Sequence, residues 1–266
     1  MRYRPASRYR IVVSVHRGGR RLHHGALNVV SRVRRDFGVP VRLAVLFDTP
    51  MVAARAEGAP AAVGRDEGAT VSEPVTVREA TAADWPAVAD LVNHYIATTT
   101  VNFRTEAQTP QDWTADWTQY RERYPWLVAT DAGRVVGVAY AGPWKARDAY
   151  DWCAEVTGYV ADDMRGRRVG HALYRSLLAV LDAQGFRTQI AVLGLPNDPS
   201  AGFHESFGFR HVGTLAGVGF KNATWLDVGF WQRSAAATGQ APGPLLPCAE
   251  VLKDVLDGIG RNGTGT

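Results

Sequence analysis

The sequence predicts an α/β or α+β layer fold, in which helices pack on a sheet. The first observation is an apolar run at residues 153–160, followed by a segment up to Gln184 whose leucines recur every three or four residues, as on one face of a helix. The second is a hairpin pattern, in which residues 126–130 and 134–140 flank an Asp-Ala-Gly turn. Strands and helices that alternate in this way bury their apolar faces against each other in layers.

The 266-residue chain is long enough for one large domain or a domain with additions, and its 46% hydrophobic content supports a sizeable core. Nothing in the spacing of its two cysteines, Cys153 and Cys248, argues for a disulfide or a metal site, so we expect a reducing compartment and no metal. No apolar run approaches the ~18 residues of a membrane span, and no secretory pattern is present. We therefore expect a cytoplasmic protein without membrane contact.

The N-terminal region has a composition of its own. Residues 1–50 carry eleven Arg against two Asp, a net charge of +9, whereas the remaining 216 residues carry −5. We expect residues 1–72 to be a basic, poorly ordered extension and linker, although the runs at 10–15 and 41–47 have the composition of short strands. An arm that binds nucleic acid and an organelle transit peptide are the alternatives. Because no recognition helix is indicated, nucleic acid is not the expected partner.

The predicted domain spans residues 73–233 and opens with a short strand at residues 75–77. Two helices follow, with capping signals at Thr81 and Thr109. Residues 98–108 between them are predicted to form a loop. The apolar faces of the two helices are predicted to comprise Trp85, Val88, Val92, Tyr95, Trp113, Trp117 and Tyr120.

After the hairpin, residues 142–151 are predicted to form a polar loop that leads into the strand at residues 153–160. The central helix runs to Gln184, and Gly185 suits its C-terminal cap. The remaining elements are predicted to be a strand at 189–193, a helix at 200–207 and strands at 210–215 and 226–231.

The C-terminal residues 234–266 are predicted to be a tail. Residues 234–247 have the composition of a linker, and residues 251–259 have the pattern of a helical turn or two. We expect this short helix to be peripheral.

An anion-binding site is predicted where the central helix begins. Residues 165–171 read Arg-Gly-Arg-Arg-Val-Gly-His, so a strand, a basic glycine-containing turn and a helix N-terminus follow one another. The first N–H groups of a helix have no helical acceptor, and the helix dipole adds partial positive charge. With three arginines strengthening this field, the expected ligand is a phosphate or pyrophosphate. The pattern is neither GxGxxG nor a P-loop, and a basic surface loop is the alternative interpretation.

The same stretch resembles the pyrophosphate loop of the GNAT superfamily of N-acetyltransferases, [Arg/Gln]-x-x-Gly-x-[Gly/Ala]. Arg165 and Gly170 fit its two ends, but Arg168 stands where the first glycine is usual. A second register, from Arg167 to Ala172, fits without exception, yet the surrounding residues favour the first.

Within the superfamily, the chain is similar to the phosphinothricin N-acetyltransferases over roughly residues 75–233. The similarity rests on ordered stretches that include Val101-Asn-Phe-Arg-Thr-Glu106, Ala139-Tyr-Ala-Gly-Pro-Trp-Lys-Ala-Arg147 and Gly194-Leu-Pro-Asn-Asp-Pro-Ser200.

This resemblance implies a GNAT fold, with a mixed, mostly antiparallel sheet and helices on both faces. It also implies acetyl-CoA as co-substrate, direct attack by the α-amine of phosphinothricin or a close amino-acid analogue, and a homodimer. Two alternatives stay open. One is an enzyme of the same subgroup acting on methionine sulfone, methionine sulfoximine or an arsenic analogue. The other is a non-catalytic acyl-CoA-binding regulator with a nucleic-acid-binding N-terminal arm.

Acyl transfer to an amine requires a base for the amine and a way to stabilise or protonate the departing thiolate. Glu155 is the expected base, because it is an acid in an apolar strand, and two-residue alternation places it on one face with Thr157 and Tyr159. The resemblance assigns His204 as an acid or second base. Cys153, on the same face, leaves a ping-pong route open.

The resemblance also implies which residues bind the co-substrate and which bind the amino acid. Those expected to hold the co-substrate are Gly158, Tyr159, Val160, Arg165, Gly166, Arg167, Arg168, Val169, Gly170, His171 and Asn197. Those expected to hold the amino acid are Phe103, Arg104, Lys145, Arg147, Tyr150 and Thr157. Arginine suits a carboxylate or phosphinate because its donors form a planar fork.

Overall fold

The computed structural model describes residues 75–234 and 241–263. The predicted extension at residues 1–72, with its two strand-like runs, lies outside the described residues.

In this described part, seven strands form one sheet in the order β1-β2-β3-β4-β5-β7-β6. The pair β4 and β5 is parallel, and every other neighbouring pair is antiparallel. The expected mixed, mostly antiparallel sheet is therefore confirmed. The strands are β1 (Thr76–Glu79), β2 (Trp126–Asp131), β3 (Arg134–Pro143), β4 (Cys153–Val160), β5 (Thr188–Leu195), β6 (Arg210–Lys221) and β7 (Thr224–Ser234).

Helices cover both faces of the sheet, because each face carries its own apolar cluster. On one face, Leu173, Leu177 and Leu181 pack with Ala154 and Val156 of β4. On the other face, tryptophans of the first two helices pack on β2 and β3. The helices are α1 (Trp85–Thr98), α2 (Pro110–Tyr120), α3 (Val169–Gln184), α4 (Asp198–Ser206) and α5 (Cys248–Gly263).

Local capping sets the helix ends as predicted. The backbone N–H of Asp112 donates to the Thr109 hydroxyl at 3.2 Å, while the Asp112 carboxylate accepts from the Thr109 N–H at 2.7 Å. This is a capping box at the start of α2. At the end of α3, Gly185 adopts φ +97°, which glycine reaches without the steric cost of a side chain.

The prediction of a peripheral C-terminal turn is wrong. Helix α5 has 16 residues, and its Cys248 and Leu252 side chains are buried against α3. The backbone N–H of Cys248 also donates to the carbonyl of Glu122. The sequence does not indicate a core helix here, because the apolar residues of the tail are few. Only the tertiary contact with α3 makes them part of the core.

Strands β6 and β7 are longer than predicted. They extend through a two-residue turn at Asn222 and Ala223, both with positive φ, into the hairpin pairs Phe220↔Trp225 and Lys221↔Thr224. Nothing in the small residues after Leu215 indicates a strand, because pairing with β7 rather than local propensity fixes their conformation.

Candidate active site

The parallel pairing of β4 with β5 is short, and this creates the candidate site. It comprises three pairs and ends at Glu155↔Ile190. Beyond that pair, β4 continues against β3, and β5 continues against β7. The backbone groups of β4 that face β5 after Glu155 therefore have no strand partner. The two strands therefore stop pairing at Glu155.

Glu155, Thr157 and Tyr159 alternate on one half-buried face of β4, as predicted. Opposite them on β3 lies Tyr140, which pairs with Thr157 and contacts its side chain through a hydrogen bond. Burial raises the pKa of Glu155, and the positive charge of Lys145 partly opposes that shift. A carboxylate with a raised pKa is a better proton acceptor at neutral pH.

Cys153 lies on the same strand but does not suit a thiolate relay. Burial, together with the negative charge of Glu155, raises the pKa of the Cys153 thiol to about 11. Because the thiolate is the nucleophilic form, this thiol stays protonated at neutral pH. The raised pKa of Cys153 disfavours a ping-pong route through this thiol.

The turn before α3 has the backbone conformation of an anion site. Gly166 has φ +76°, and Arg168, which precedes the first helical residue, has φ +60°. The first helical hydrogen bond runs from the Ala172 N–H to the Arg168 carbonyl at 3.0 Å, so the N–H groups of the residues between them have no helical acceptor. Glycine adopts a left-handed backbone conformation most readily, so a left-handed residue at position 168 explains why the motif usually has glycine there. This favours the register of the loop motif that starts at Arg165.

Two of the three loop arginines form ion pairs with nearby carboxylates, which oppose part of the positive field that the sequence predicts here. Arg165 contacts Asp162 at 2.7 Å and the Tyr95 hydroxyl at 3.2 Å. Arg167 contacts Asp131 at 3.3 Å. All three arginines are exposed, and the two ion pairs tie the turn to Asp162 and to β2.

The structure does not bring His204 together with Glu155. His204 is buried among Tyr174, Phe203 and Phe209, in the cluster on the α3 face of the sheet. By strand alternation Glu155 lies on the opposite face. Gly158 of β4 is needed for this cluster, because any side chain there would collide with the Tyr174 ring.

Asn197 caps the helix that carries His204. Its side-chain oxygen accepts a hydrogen bond from the Ser200 N–H at 3.3 Å. This contact corresponds to the turn role of an asparagine before a helix rather than to a ligand contact.

The predicted substrate residues fall in two loops. Lys145, Arg147 and Tyr150 line a cavity of ≈ 240 Å³ between α2 and the loop after β3.

On the other loop, the Phe103 ring lies directly against Gly194 of β5 and Gly219 of β6. Both loops place positive charge near the Glu155 face. Burial raises the pKa of Glu155, Tyr140 and Tyr159, and the charges of Lys145 (on Glu155) and of Arg104 (on the two tyrosines) partly oppose that rise.

Sequence reasoning missed Tyr140, the Asn102 contact and Lys221. The Asn102 amide donates to the Tyr159 hydroxyl at 2.9 Å. Lys221 is buried and donates to backbone carbonyls of α1 and of the loop that follows it. The one sequence feature that could have drawn attention to Lys221 is the rarity of lysine, since the chain has three lysines against 27 arginines.

A half-buried carboxylate with a raised pKa where two strands stop pairing, together with a helix N-terminus suited to a phosphate, fits acyl transfer from a nucleotide-linked donor. Residues 77–229 match the family described as "Acetyltransferase (GNAT) domain". The chain therefore belongs to the GNAT family of N-acetyltransferases.

Three relatives illustrate the match. A phosphinothricin N-acetyltransferase of Streptomyces viridochromogenes is 53% identical over 67% of this chain and 97% of its own. An L-methionine sulfoximine/L-methionine sulfone acetyltransferase of Pseudomonas aeruginosa is 34% identical over 63% and 98%. A GNAT phosphinothricin acetyltransferase of Sinorhizobium meliloti, solved in complex with AcCoA, aligns with TM-score 0.62 and 30% identity over 64% of this chain and 93% of its own.

Within residues 75–234 and 241–263, no helix is long and apolar enough to cross a membrane. The same residues hold no group of three or more His, Cys, Asp or Glu that could bind a metal ion.

Proposed function

We propose that the enzyme transfers an acetyl group from acetyl-CoA to the α-amine of phosphinothricin or a close amino-acid analogue. The observation that carries the proposal is the half-buried Glu155 carboxylate at the end of the β4/β5 pairing, with Lys145 acting on it from the substrate loop. The names of the relatives support an amino acid whose side chain carries a tetrahedral phosphorus or sulfur group with hydrogen-bond acceptors.

The residues present fit acetyl-CoA. The free N–H groups at the start of α3, and the left-handed turn residues before them, suit a pyrophosphate. The unpaired backbone edge of β4 after Glu155 offers hydrogen-bonding groups to an extended chain such as pantetheine. The bound co-substrate would supply the acetyl group as a thioester.

On the protein side, Glu155 accepts a proton from the substrate ammonium, so that the amine nitrogen carries a free electron pair. Lys145 and Arg147 hold the acidic groups of the substrate, and Arg147 presents a two-donor fork. We assign His204 a structural role, because both its ring nitrogens are occupied in the α3 cluster.

The substrate side chain is the point on which the relatives differ. A phosphinate, a sulfone and a sulfoximine are all tetrahedral groups with hydrogen-bond acceptors, and the cavity beside Lys145 offers cations to each. Phosphinothricin is our first candidate because the relative with that name is 53% identical, against 34% for the sulfoximine and sulfone enzyme.

The test is release of free CoA thiol from acetyl-CoA with a panel of amino acids. We expect the highest kcat/KM for phosphinothricin, lower values for methionine sulfoximine and sulfone, and none for amino acids without a second polar group on the side chain. Highest activity on methionine sulfoximine would assign the enzyme to the second candidate. No turnover with any member of the panel would support the non-catalytic regulator instead.

We further propose that the enzyme is a homodimer that pairs through β6. This strand lies at the end of the sheet and, together with β7, exposes a patch comprising Val212, Leu215, Val218, Phe220 and Trp225. Exposures of 59% for Phe220 and 66% for Trp225 are high for large apolar side chains in a monomer. We expect sedimentation equilibrium to give twice the chain mass, and Phe220→Glu to give the mass of one chain.

Both cysteines are free thiols. This supports the proposal that the enzyme works in a reducing, cytoplasmic environment.

A further inference from the structure

Lys221, near the end of β6, is a buried cation that the proposed mechanism does not use. Its residue exposure is 6%, and burial lowers its pKa. Its Nζ donates to the carbonyl oxygen of Ile96 at 2.7 Å and to that of Asn102 at 2.6 Å. Among the described residues, Lys221 forms no ion pair with a carboxylate. Burying an ammonium group is costly, so this arrangement points to a positional requirement.

The two carbonyls belong to the end of α1 and to the loop that follows it. Ile96 lies in the last turn of α1, where carbonyl groups lack helical partners and the helix dipole favours a cation. Asn102 lies in the loop between α1 and α2. Lys221 therefore links three elements, namely the β6 strand, the C-terminal end of α1 and this loop.

The linked loop contacts the active-site face directly. The Asn102 side chain donates to the Tyr159 hydroxyl at 2.9 Å and accepts from the Arg104 N–H at 2.8 Å. Next to it, the Phe103 ring lies against glycines of β5 and β6. Burial raises the pKa of Tyr159, and the Asn102 hydrogen bond and the charge of Arg104 partly oppose that rise. A shift of the Asn102 backbone would displace all of these groups together.

We propose that Lys221 is a positioning residue for the amino-acid substrate. By fixing the Asn102 carbonyl, it sets Phe103 and Arg104 against the Glu155 face of β4. Among the described residues, neither of its two hydrogen bonds reaches the anion loop before α3, so we expect the co-substrate site to change less than the amino-acid site. This inference rests on the proposed function, because it assumes that the loop contacts the amino acid.

The test compares Lys221→Met with Lys253→Met. Methionine keeps the length of the side chain and removes the charge and the donors, and Lys253 is an exposed lysine on α5. For Lys221→Met we expect KM for the amino acid to rise roughly 10- to 100-fold, since small displacements of positioning groups have effects of this size. KM for acetyl-CoA should change less, and the Lys253 control should match wild type in both constants.

A double-mutant cycle separates positioning from a general loss of structure. If Lys221 acts through Arg104, Lys221→Met should add little to the defect of Arg104→Ala. If Lys221→Met does not fold, Lys221→Gln and Lys221→Arg take its place, and we expect Arg, which keeps the charge and the donors, to lie closer to wild type than Gln.

The outcomes distinguish this inference from the proposed function. Wild type without turnover on the amino-acid panel would overturn the proposed function. An active wild type and a folded Lys221→Met with unchanged KM for the amino acid would overturn the positioning role. Equal increases in both KM values would also overturn it, because they would indicate a structural effect on the whole site.

Discussion

The Tyr174 hydroxyl lies 3.0 Å from Nε2 of His204. The other ring nitrogen, Nδ1, lies 2.7 Å from the Ser200 carbonyl oxygen, which can only accept, so Nδ1 carries the proton. Nε2 of the neutral ring then accepts from Tyr174. The pair joins α3 to α4, and burial lowers the pKa of His204, partly opposed by its bond to Ser200.

Protonation of His204 should therefore destabilise the fold. The native pKa lies below the unfolded value of about 6.5, so the unfolded chain binds the proton more readily. The stability from His204 is present above pH 6.5 and is lost as the pH falls through the native pKa. We expect Tm to drop more steeply with acid in wild type than in His204→Gln. The exposed His211→Gln is the control, and parallel curves for wild type and His204→Gln would refute the prediction.

Glu155→Gln should abolish proton acceptance without changing the shape of the site. We expect kcat to fall roughly 10²- to 10⁴-fold, the usual range for loss of a general base, with the Kd for acetyl-CoA unchanged. In wild type, kcat/KM should fall as the pH drops through the raised pKa of Glu155, above its usual value of about 4.3. Glu250→Gln on α5 is the control, and near-wild-type turnover of Glu155→Gln at neutral pH would remove Glu155 from the mechanism.

Arg168→Gly should stabilise the protein, because glycine adopts φ +60° without the cost of about 1–2 kcal/mol borne by other residues. Since the N–H groups of the loop remain, KM for acetyl-CoA should change only a few-fold. Arg168→Ala is the matched control, because it removes the same guanidinium and keeps the strained backbone. In chemical unfolding, Arg168→Gly should have a larger free energy of unfolding than Arg168→Ala. A rise in KM above roughly a hundredfold in both variants would show that the guanidinium itself binds the phosphates.

Leu252→Ala tests whether α5 belongs to the core. Its side chain is buried against the α3 cluster, so we expect a loss of about 2–5 kcal/mol in the free energy of unfolding. The neighbouring Lys253→Ala is exposed and should have little effect. Urea unfolding measures the free energy of unfolding of both variants. Equal values for Leu252→Ala and wild type would mean that α5 is peripheral, as the sequence suggests.

Residues 1–72 should be dispensable for catalysis, because every residue with a proposed role lies after Pro74. A chain that starts at Glu73 should fold and retain the kcat and KM of the full chain. The full chain, assayed in parallel, is the reference. An insoluble or inactive product would show that the strand-like runs at 10–15 and 41–47 are needed for the catalytic domain.

Local sequence determined most of the elements and pointed to one candidate site residue. The capping signals at Thr81 and Thr109, the leucine spacing of α3 and the glycine after it act within one or two turns of chain, and the structure has each of them. Glu155 was found for the same reason, since an acid in an apolar strand is a local anomaly. The face it shares with Tyr159 follows from strand alternation alone.

Tertiary structure decided the features that depend on distant segments. The point where β4 and β5 part is set by competing pairing with β3 and β7. The sheet separates His204 from Glu155, although both had seemed suited to proton transfer. Lys221 reaches Asn102 across 119 positions of sequence, and the buried face of α5 exists only because α3 covers it. No local pattern encodes these contacts, because each becomes favourable only when packing has brought the partners together.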